Sequence, residues 1–277
     1  MISKPPGTDP TGRPDTSTRG RIVAHRGASR IAPENTLSAF HLAAAQGARW
    51  LEFDVSLLGD GTPVAHHDGT LDRCTDGNGP LDRLTAADLA GIDSGRWFGA
   101  QYTGEPLATL EQALDLIDDL NLSANLEMKP HDAAPEPMAR AVTRALTRCR
   151  WTRARILVSS FDLGALETLR QMMPEQPVAV LYKNPPANWP DVLTALNACS
   201  LHIWHEFLTG AILAEAQEHG FHVRVYTINE PPLMEPFRAA GQTGGLTGVI
   251  TDHPPLFLDD PAWAAWAGDG GPESQAV

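Results

Sequence analysis

Trp50–Leu58, WLEFDVSLL, decides the fold. The stretch is dense in apolar and β-branched residues, which predicts a β-strand. It nevertheless carries two carboxylates, Glu52 and Asp54. Side chains alternate faces along a strand, so these acids share one face while Leu51, Phe53 and Val55 share the other. The apolar face is expected to pack under a layer of helices. Two acids held side by side inside a fold are costly unless positive charge sits between them. A hard divalent cation with oxygen ligands would supply it. A polar edge strand is the plainer alternative for an isolated E-x-D.

Outward from this strand, short apolar runs alternate with helical patterns. Arg21–Ala24 starts a strand before the polar loop HRGASRIAPENT, and Asn35 or Thr36 can cap a helix running to about Gln46, stopped by Gly47. Beyond the turn Gly59-Asp60-Gly61, Thr62–His66 is short and extended. Residues 68–106 are rich in Gly, Asp and Thr, with one short helix expected after the cap Thr85. Connections this long in compact domains are functional or disordered. Helices are then expected over Thr109–Leu120, Glu136–Arg150, Asp162–Met173, Pro190–Ala198, Thr209–His219 and Pro231–Ala240, with strands over Ser123–Met128, Arg155–Ser159, Val178–Tyr182, Leu201–Trp204, His222–Ile228 and Gly248–Thr251. About eight strand–helix repeats over ~250 residues match the size and rhythm of a (β/α)8 TIM barrel of the α/β class, with a small insertion after the second strand. An open doubly wound sheet is the alternative, but no G-x-G-x-x-G follows the first strand, so dinucleotide binding has no support. Residues 1–20 and 268–277 lack periodicity and are expected to be disordered tails around one domain spanning 21–267.

Composition narrows the functional classes. Of 277 residues, 42% are apolar and 20% charged, ordinary for a globular protein. A net charge of −13 argues against general nucleic-acid binding, which needs a positive footprint. Three cysteines, Cys74, Cys149 and Cys199, are far apart and odd in number, so a disulfide framework or structural zinc is not expected and a reducing compartment fits. No stretch reaches the ~20 apolar residues that span a bilayer, and the first residues lack a signal-peptide core, so a cytoplasmic protein without stable membrane insertion is expected. The number of subunits is not legible.

A TIM barrel places its active site at the C-terminal ends of its strands. The polar residues expected there are His25 and Arg26 after the first strand, Glu52 and Asp54 on the second, His66, His67 and Asp68 after the short extended piece, and Glu127 with Lys129 on the third. Ser159, Ser160, His205, Tyr226, Asn229 and Asp252 carry less information. Glu52, Asp54 and Glu127 supply three carboxylates for one divalent cation. Arg26 and Lys129 suit a phosphate. His25 and His67, from different segments, could serve as base and acid. His66 and His67 are adjacent, so only one can face the site. Each residue has a bland counterpart: a packed histidine, a solvated lysine paired locally with Glu127, Asp68 as a turn residue, Trp204 and Tyr226 as barrel packing. Their coincidence at strand ends with complementary charge points to phosphoester chemistry.

The segments IVAHRGASRIAPENTLSAF, LEFDVSLLGDGTPVAHHDGTLDR, NLEMKP, SSFD, VYTIN and GVITDHP resemble, in order and spacing, the successive motifs of the glycerophosphodiester phosphodiesterase family, in its short bacterial cytoplasmic form. The resemblance runs from about residue 21 to 258. It implies a (β/α)8 barrel that hydrolyses glycerophosphodiesters to sn-glycerol 3-phosphate and an alcohol with Mg²⁺ or Ca²⁺. It further implies that Glu52, Asp54 and Glu127 hold the metal, that His25 and His67 are the acid–base pair, that Arg26 and Lys129 bind the phosphate, and that 68–106 is the family's insertion. His66, Cys74 and Thr247 depart from the usual apolar, Thr and Asp residues without removing a catalytic group. A phospholipase D-like or lysophospholipid-cleaving enzyme on the same scaffold is the nearest rival, and a non-catalytic phosphate-binding barrel a more distant one.

Overall fold

The computed structural model describes residues 22–148, 155–237 and 246–267. Both expected tails, Cys149, and the expected end of the helix over Pro231–Ala240 lie outside them. The decisive stretch forms strand β2, Trp50–Leu57, flanked by β1, Ile22–His25, and β4, Ser123–Met128. The other strands follow as β5, Ile156–Ser160; β6, Val178–Tyr182; β7, Ser200–Trp204; β8, His222–Tyr226; and β9, Leu246–Thr251. Each pairs in parallel with its neighbour, and β9 returns to β1, closing eight parallel strands into a barrel. The short β3, Pro63–Ala65, hangs antiparallel on β2.

Helices fill the crossovers: α1, Leu37–Ala45; α2, Leu110–Asp119; α3, Pro135–Arg148; α4, Leu163–Met172; α5, Trp189–Ala195; and α6, Gly210–His219. Several boundaries follow from caps. Thr36 accepts from Ala39 N at the start of α1, Thr109 and Gln112 form a reciprocal capping box, and Gly220 ends α6 at φ 70°. The segment after β8 begins as a 3-10 turn, Pro231–Met234, where Pro232 disfavours the α conformation at the residue before it. The helix expected after Thr85 is likewise 3-10, over Ala86–Gly91.

The period of two on β2 divides the core as the sequence implied. Leu51, Phe53 and Val55 are buried against the helical layer, and Phe53 packs on Phe40 of α1 with ring centroids 5.5 Å apart. Trp50, on the opposite face, joins Val23, Leu157, Ala179, Cys199 and Ile250 in a smaller cluster inside the barrel. Above it on that face stand Glu52 and Asp54, both buried. The register sets Glu52 beside His25 and Asn125, and Asp54 beside Glu127.

Phe53 links β2 to α1, so its side chain holds the strand that carries both acids. Phe53→Ala should lower the unfolding free energy by about 3–5 kcal/mol, read from the denaturant midpoint. An unchanged midpoint would mean that this layer does not hold the barrel together.

Candidate active site

The strand ends converge on a cavity of about 220 Å³ lined by His25, Arg26, Glu52, His67, Glu127 and Lys129, with Asn125 on its floor. Asp54 lies behind this lining, 1% exposed, paired with Arg26 Nε at 3.1 Å and Lys129 Nζ at 3.3 Å. All seven residues singled out from the sequence are therefore brought to one place. Phe161, Leu181, Trp204 and Tyr226 form the opposite, apolar wall. Trp204 and Tyr226, expected to be barrel packing, are the last residues of β7 and β8 and line the cavity; Tyr226 packs on the inner barrel cluster as well.

Glu52, Asp54 and Glu127 each present an oxygen within 4.8 Å of the others. Two oxygens bound to one Ca²⁺ or Mg²⁺ lie at most about 5 Å apart, so this donor set fits such an ion. Glu52 Oε1 is buried without a hydrogen-bond partner. Asp54 Oδ1 and Glu127 Oε1 also lack one, though both sit against the Lys129 ammonium as ion pairs. Burial first, and then the charges of Asp54 and Glu127, push the Glu52 carboxyl well above its usual range. Burial raises Glu127 too, despite Lys129. Asp54 is held low because Arg26 and Lys129 outweigh its burial. The triad is short of positive charge, and an all-oxygen acidic set of this kind could hold a metal ion.

The two cations are themselves fixed. Arg26 sits in the left-handed region at φ 55°, followed by Gly27 at φ 83°. This turn sends the Arg26 backbone N–H to Glu52 Oε2 (3.1 Å) and its guanidinium to Glu34 (2.6 Å) and Asp54. A side chain at Gly27 would meet the Ala39 backbone at 2.7 Å, so the chain passes too close to α1 for a Cβ. Asn35, at φ 58°, does not cap α1. Its amide donates to Asp54 Oδ2 (2.9 Å) and accepts from Asp54 N (3.1 Å).

Each imidazole has its own carboxylate. His25 Nδ1 lies 2.6 Å from Asp252 Oδ1, and His67 Nδ1 lies 2.6 Å from Asp68 Oδ1. A carboxylate only accepts, so Nδ1 carries the hydrogen in both and leaves Nε2 for the cavity. His25 Nε2 is 3.8 Å from Glu52 Oε2. Burial lowers the proton affinity of His67. His66 faces away; it is buried, with Nε2 2.9 Å from Thr70 O. Asp252, a low-information candidate, turns out to be the support of His25. It is held in turn by Asn229 Nδ2 (2.6 Å) and Ser29 Oγ (3.1 Å). Asp68 is more than a turn residue for the same reason. Ser160 is structural, donating to Met128 O at 2.8 Å. Glu34, Asn35, Asn125 and Arg73 were not singled out from the sequence. The E-N pair next to a helix cap was the visible signal for two of them.

Fold and site together define a TIM barrel whose strand ends gather two cations and two imidazoles around a buried acidic triad that could hold a metal ion. The Glycerophosphoryl diester phosphodiesterase family model matches residues 25–256. A glycerophosphodiester phosphodiesterase of Caldanaerobacter subterraneus subsp. tengcongensis is 29% identical over 86% of this chain and 96% of its own length. The putative Bacillus subtilis enzyme YhdW is 30% identical over 86% and 97%. An Oleispira antarctica phosphodiesterase, solved in complex with the product sn-glycerol-3-phosphate, superposes with a TM-score of 0.81 at 33% identity, covering 90% of this chain and 97% of that one. The chain belongs to the glycerophosphoryl diester phosphodiesterase family and is a glycerophosphodiester phosphodiesterase.

The Asp252 cluster carries a pH signature. Burial raises the Asp252 carboxyl, but His25, Asn229 and Ser29 outweigh it and bring it from 3.8 down to about 2. A carboxyl whose folded value is depressed stabilises the fold above the unfolded value, and that stabilisation is lost as pH falls through the folded one. Asp252→Asn should therefore be less stable than wild type near neutral pH, with the gap closing between about pH 4 and pH 2 in chemical denaturation. A gap that stays constant over this range would contradict the assignment.

Proposed function

We propose that this enzyme hydrolyses glycerophosphodiesters to sn-glycerol 3-phosphate and an alcohol, with Mg²⁺ or Ca²⁺ held by Glu52, Asp54 and Glu127 and with His25 and His67 as the acid–base pair. The observation that carries the reading is the pairing of two carboxylate-supported imidazoles with a buried, cation-deficient acidic triad around one small cavity. A divalent cation, when bound, would neutralise charge on the phosphoryl oxygens. Arg26 and Lys129 would grip the same group, and their neighbouring acids keep both cationic despite burial. His25 Nε2 takes the proton of the glycerol 2-hydroxyl as its oxygen attacks phosphorus. The bond from phosphorus to the alcohol breaks, and that oxygen takes a proton from His67 Nε2. Water then opens the cyclic phosphate with the roles exchanged: its proton goes to His67, and the released 2-oxygen takes one from His25. The small-molecule product in the Oleispira antarctica complex supports this substrate class.

Nothing in this reading calls for nucleic acid. Among the described residues, no helix is long and apolar enough to cross a membrane. The compartment we assign is the cytoplasm, from cysteine usage.

One observation favours a lysophospholipid as an additional substrate. A groove of about 700 Å³ adjoins the catalytic cavity at Lys129 and is walled by Leu57, Leu58, Leu81, Pro130 and Met138. It could shelter one acyl chain but offers little to two.

Three measurements test the proposal. Excess chelator should abolish cleavage of glycerophosphocholine, and Mg²⁺ or Ca²⁺ should restore it. With metal present, His25→Ala and His67→Ala should each lose a factor of roughly 10²–10⁴ in kcat while staying folded, and His66→Leu should remain active. Full activity in chelator defeats the metal assignment; a dead His66→Leu beside an active His67→Ala reverses the choice of histidine. On substrates, choline and ethanolamine diesters should be cleaved within about tenfold of each other, only ~1.4 kcal/mol of discrimination, since few polar groups of the insertion converge on the alcohol. Diacyl phospholipids should be poor. A strong preference for a lysophospholipid over glycerophosphocholine would make the groove the principal alcohol site.

A further inference from the structure

Arg73 lies in the insertion, outside the cavity, with its side chain 45% exposed. Its guanidinium makes two forked contacts at once. Nε lies 2.7 Å from Asp68 Oδ2 and Nη2 3.1 Å from Asp68 Oδ1. Nη1 lies 2.7 Å from Glu34 Oε2 and Nη2 2.8 Å from Glu34 Oε1. These two carboxylates are the ones that hold His67 Nδ1 and the Arg26 guanidinium, each at 2.6 Å. One side chain thus closes a chain of contacts, His67–Asp68–Arg73–Glu34–Arg26, between groups that arrive from different strand ends.

We propose that Arg73 is a positioning residue: by clamping Asp68 and Glu34 together it fixes the aim of His67 and of Arg26 on the same phosphodiester. The proposal rests on the reading of His67 as acid–base group and Arg26 as phosphate ligand. The physical case has three parts. A single ion pair at an arginine this exposed adds little to stability; a doubly forked pair adds more, but its geometry fixes the direction of both carboxylates as well as holding them. Glu34 shares its charge between two guanidiniums; with Arg73 gone it would have Arg26 alone and would draw that side chain away from Asp54 and the cavity. Asp68, no longer held by Arg73 on Oδ2, could rotate and carry the His67 ring with it. Both displacements are of the size that degrades catalysis, since an error of about 1 Å in a reacting group can cost roughly 10²-fold. A lysine cannot substitute, because a single ammonium cannot grip both oxygens of two carboxylates.

The test uses the full chain with its divalent cation and glycerophosphocholine as substrate. Arg73→Ala and Arg73→Lys should both lose roughly 10–10²-fold in kcat, with a smaller rise in KM and a melting temperature close to that of wild type. Millimolar guanidinium should restore a several-fold share of kcat to Arg73→Ala and none to His67→Ala, since the added ion can refill the gap between two carboxylates but cannot replace an imidazole. Arg96→Ala, at an exposed arginine of the same insertion, serves as the control and should match wild type. A kcat for Arg73→Ala within twofold of wild type while His67→Ala is near-dead overturns the clamp and leaves the catalytic reading standing. A loss of kcat that guanidinium leaves unrepaired also overturns it, as a structural role would give that result. Wild-type activity in His67→Ala would instead overturn the catalytic reading and take the clamp with it.

Discussion

Buried negative charge governs this site. Glu52, Asp54 and Glu127 stand on two adjacent strands with their carboxylates out of water. Such a cluster is tolerated only where cations and hydrogen-bond donors answer it at close range. The protein supplies two cations, Arg26 and Lys129, and spends an unusual backbone to place the first of them. Arg26 and Asn35 both occupy the left-handed region, which costs a residue with a Cβ about 1–2 kcal/mol each. Their side chains show the return: Arg26 reaches Asp54 and Glu34, and Asn35 bonds the Asp54 side chain and its backbone N–H. The loop between β1 and α1 is shaped by the acids on β2.

The imidazoles obey a second rule. Each has Nδ1 tied to a carboxylate and Nε2 directed into the cavity, but the two supports are built differently. Asp252 is held by neutral groups, Asn229 and Ser29, at the junction of β9 with its loop. Asp68 is held by a charged group, Arg73, within the insertion. The His25 side of the site is therefore fixed by a carboxylate that accepts from neutral donors near the barrel, and the His67 side by ion pairs that involve the more exposed Arg73 and are more open to screening by salt.

Much of this was legible in the chain. The E-x-D spacing on an apolar strand told which face of β2 would carry the acids, and the adjacency of His66 and His67 meant that only one could face the site. The strand–helix rhythm located the strand ends, and hence the seven residues that meet there. The supports were legible only in part. Asp252 and Asp68 stood among the candidates and the E-N pair beside the cap hinted at Glu34 and Asn35, but Arg73 reaches Glu34 across 39 residues and Asn35 reaches Asp54 across 19, and no local periodicity reports such contacts. Asn35 also looks like an ordinary helix cap, a role that Thr36 takes because the Asn35 side chain is occupied by Asp54. Trp204 and Tyr226 line the cavity, and Tyr226 packs on the inner barrel cluster as well, so the packing reading holds for it in part; whether a strand's last aromatic packs inside the barrel or lines its mouth depends on how far neighbouring strands extend, which their own sequence does not state.

The insertion could have been the weak half of this arrangement, since long loops with few buried contacts open easily. It has a small core of its own. Leu71 and Leu81 of the insertion pack with Leu58, Val64 and Leu107 from its two roots. Its C-terminal end is tied to the first crossover, where Tyr102 donates to Ile31 O at 2.8 Å and Glu105 accepts from Ser38 N at 3.0 Å. Ser38 is the second residue of α1, three residues after Asn35 and four after Glu34. The insertion and the β1–α1 loop are thus joined twice, once by this outer seam and once by Arg73. A segment joined to its neighbour at two separated points resists both swinging and sliding, so the insertion can keep Asp68 in place beside His67, whose own backbone follows β3 where His66 N donates to Asp54 O at 3.1 Å.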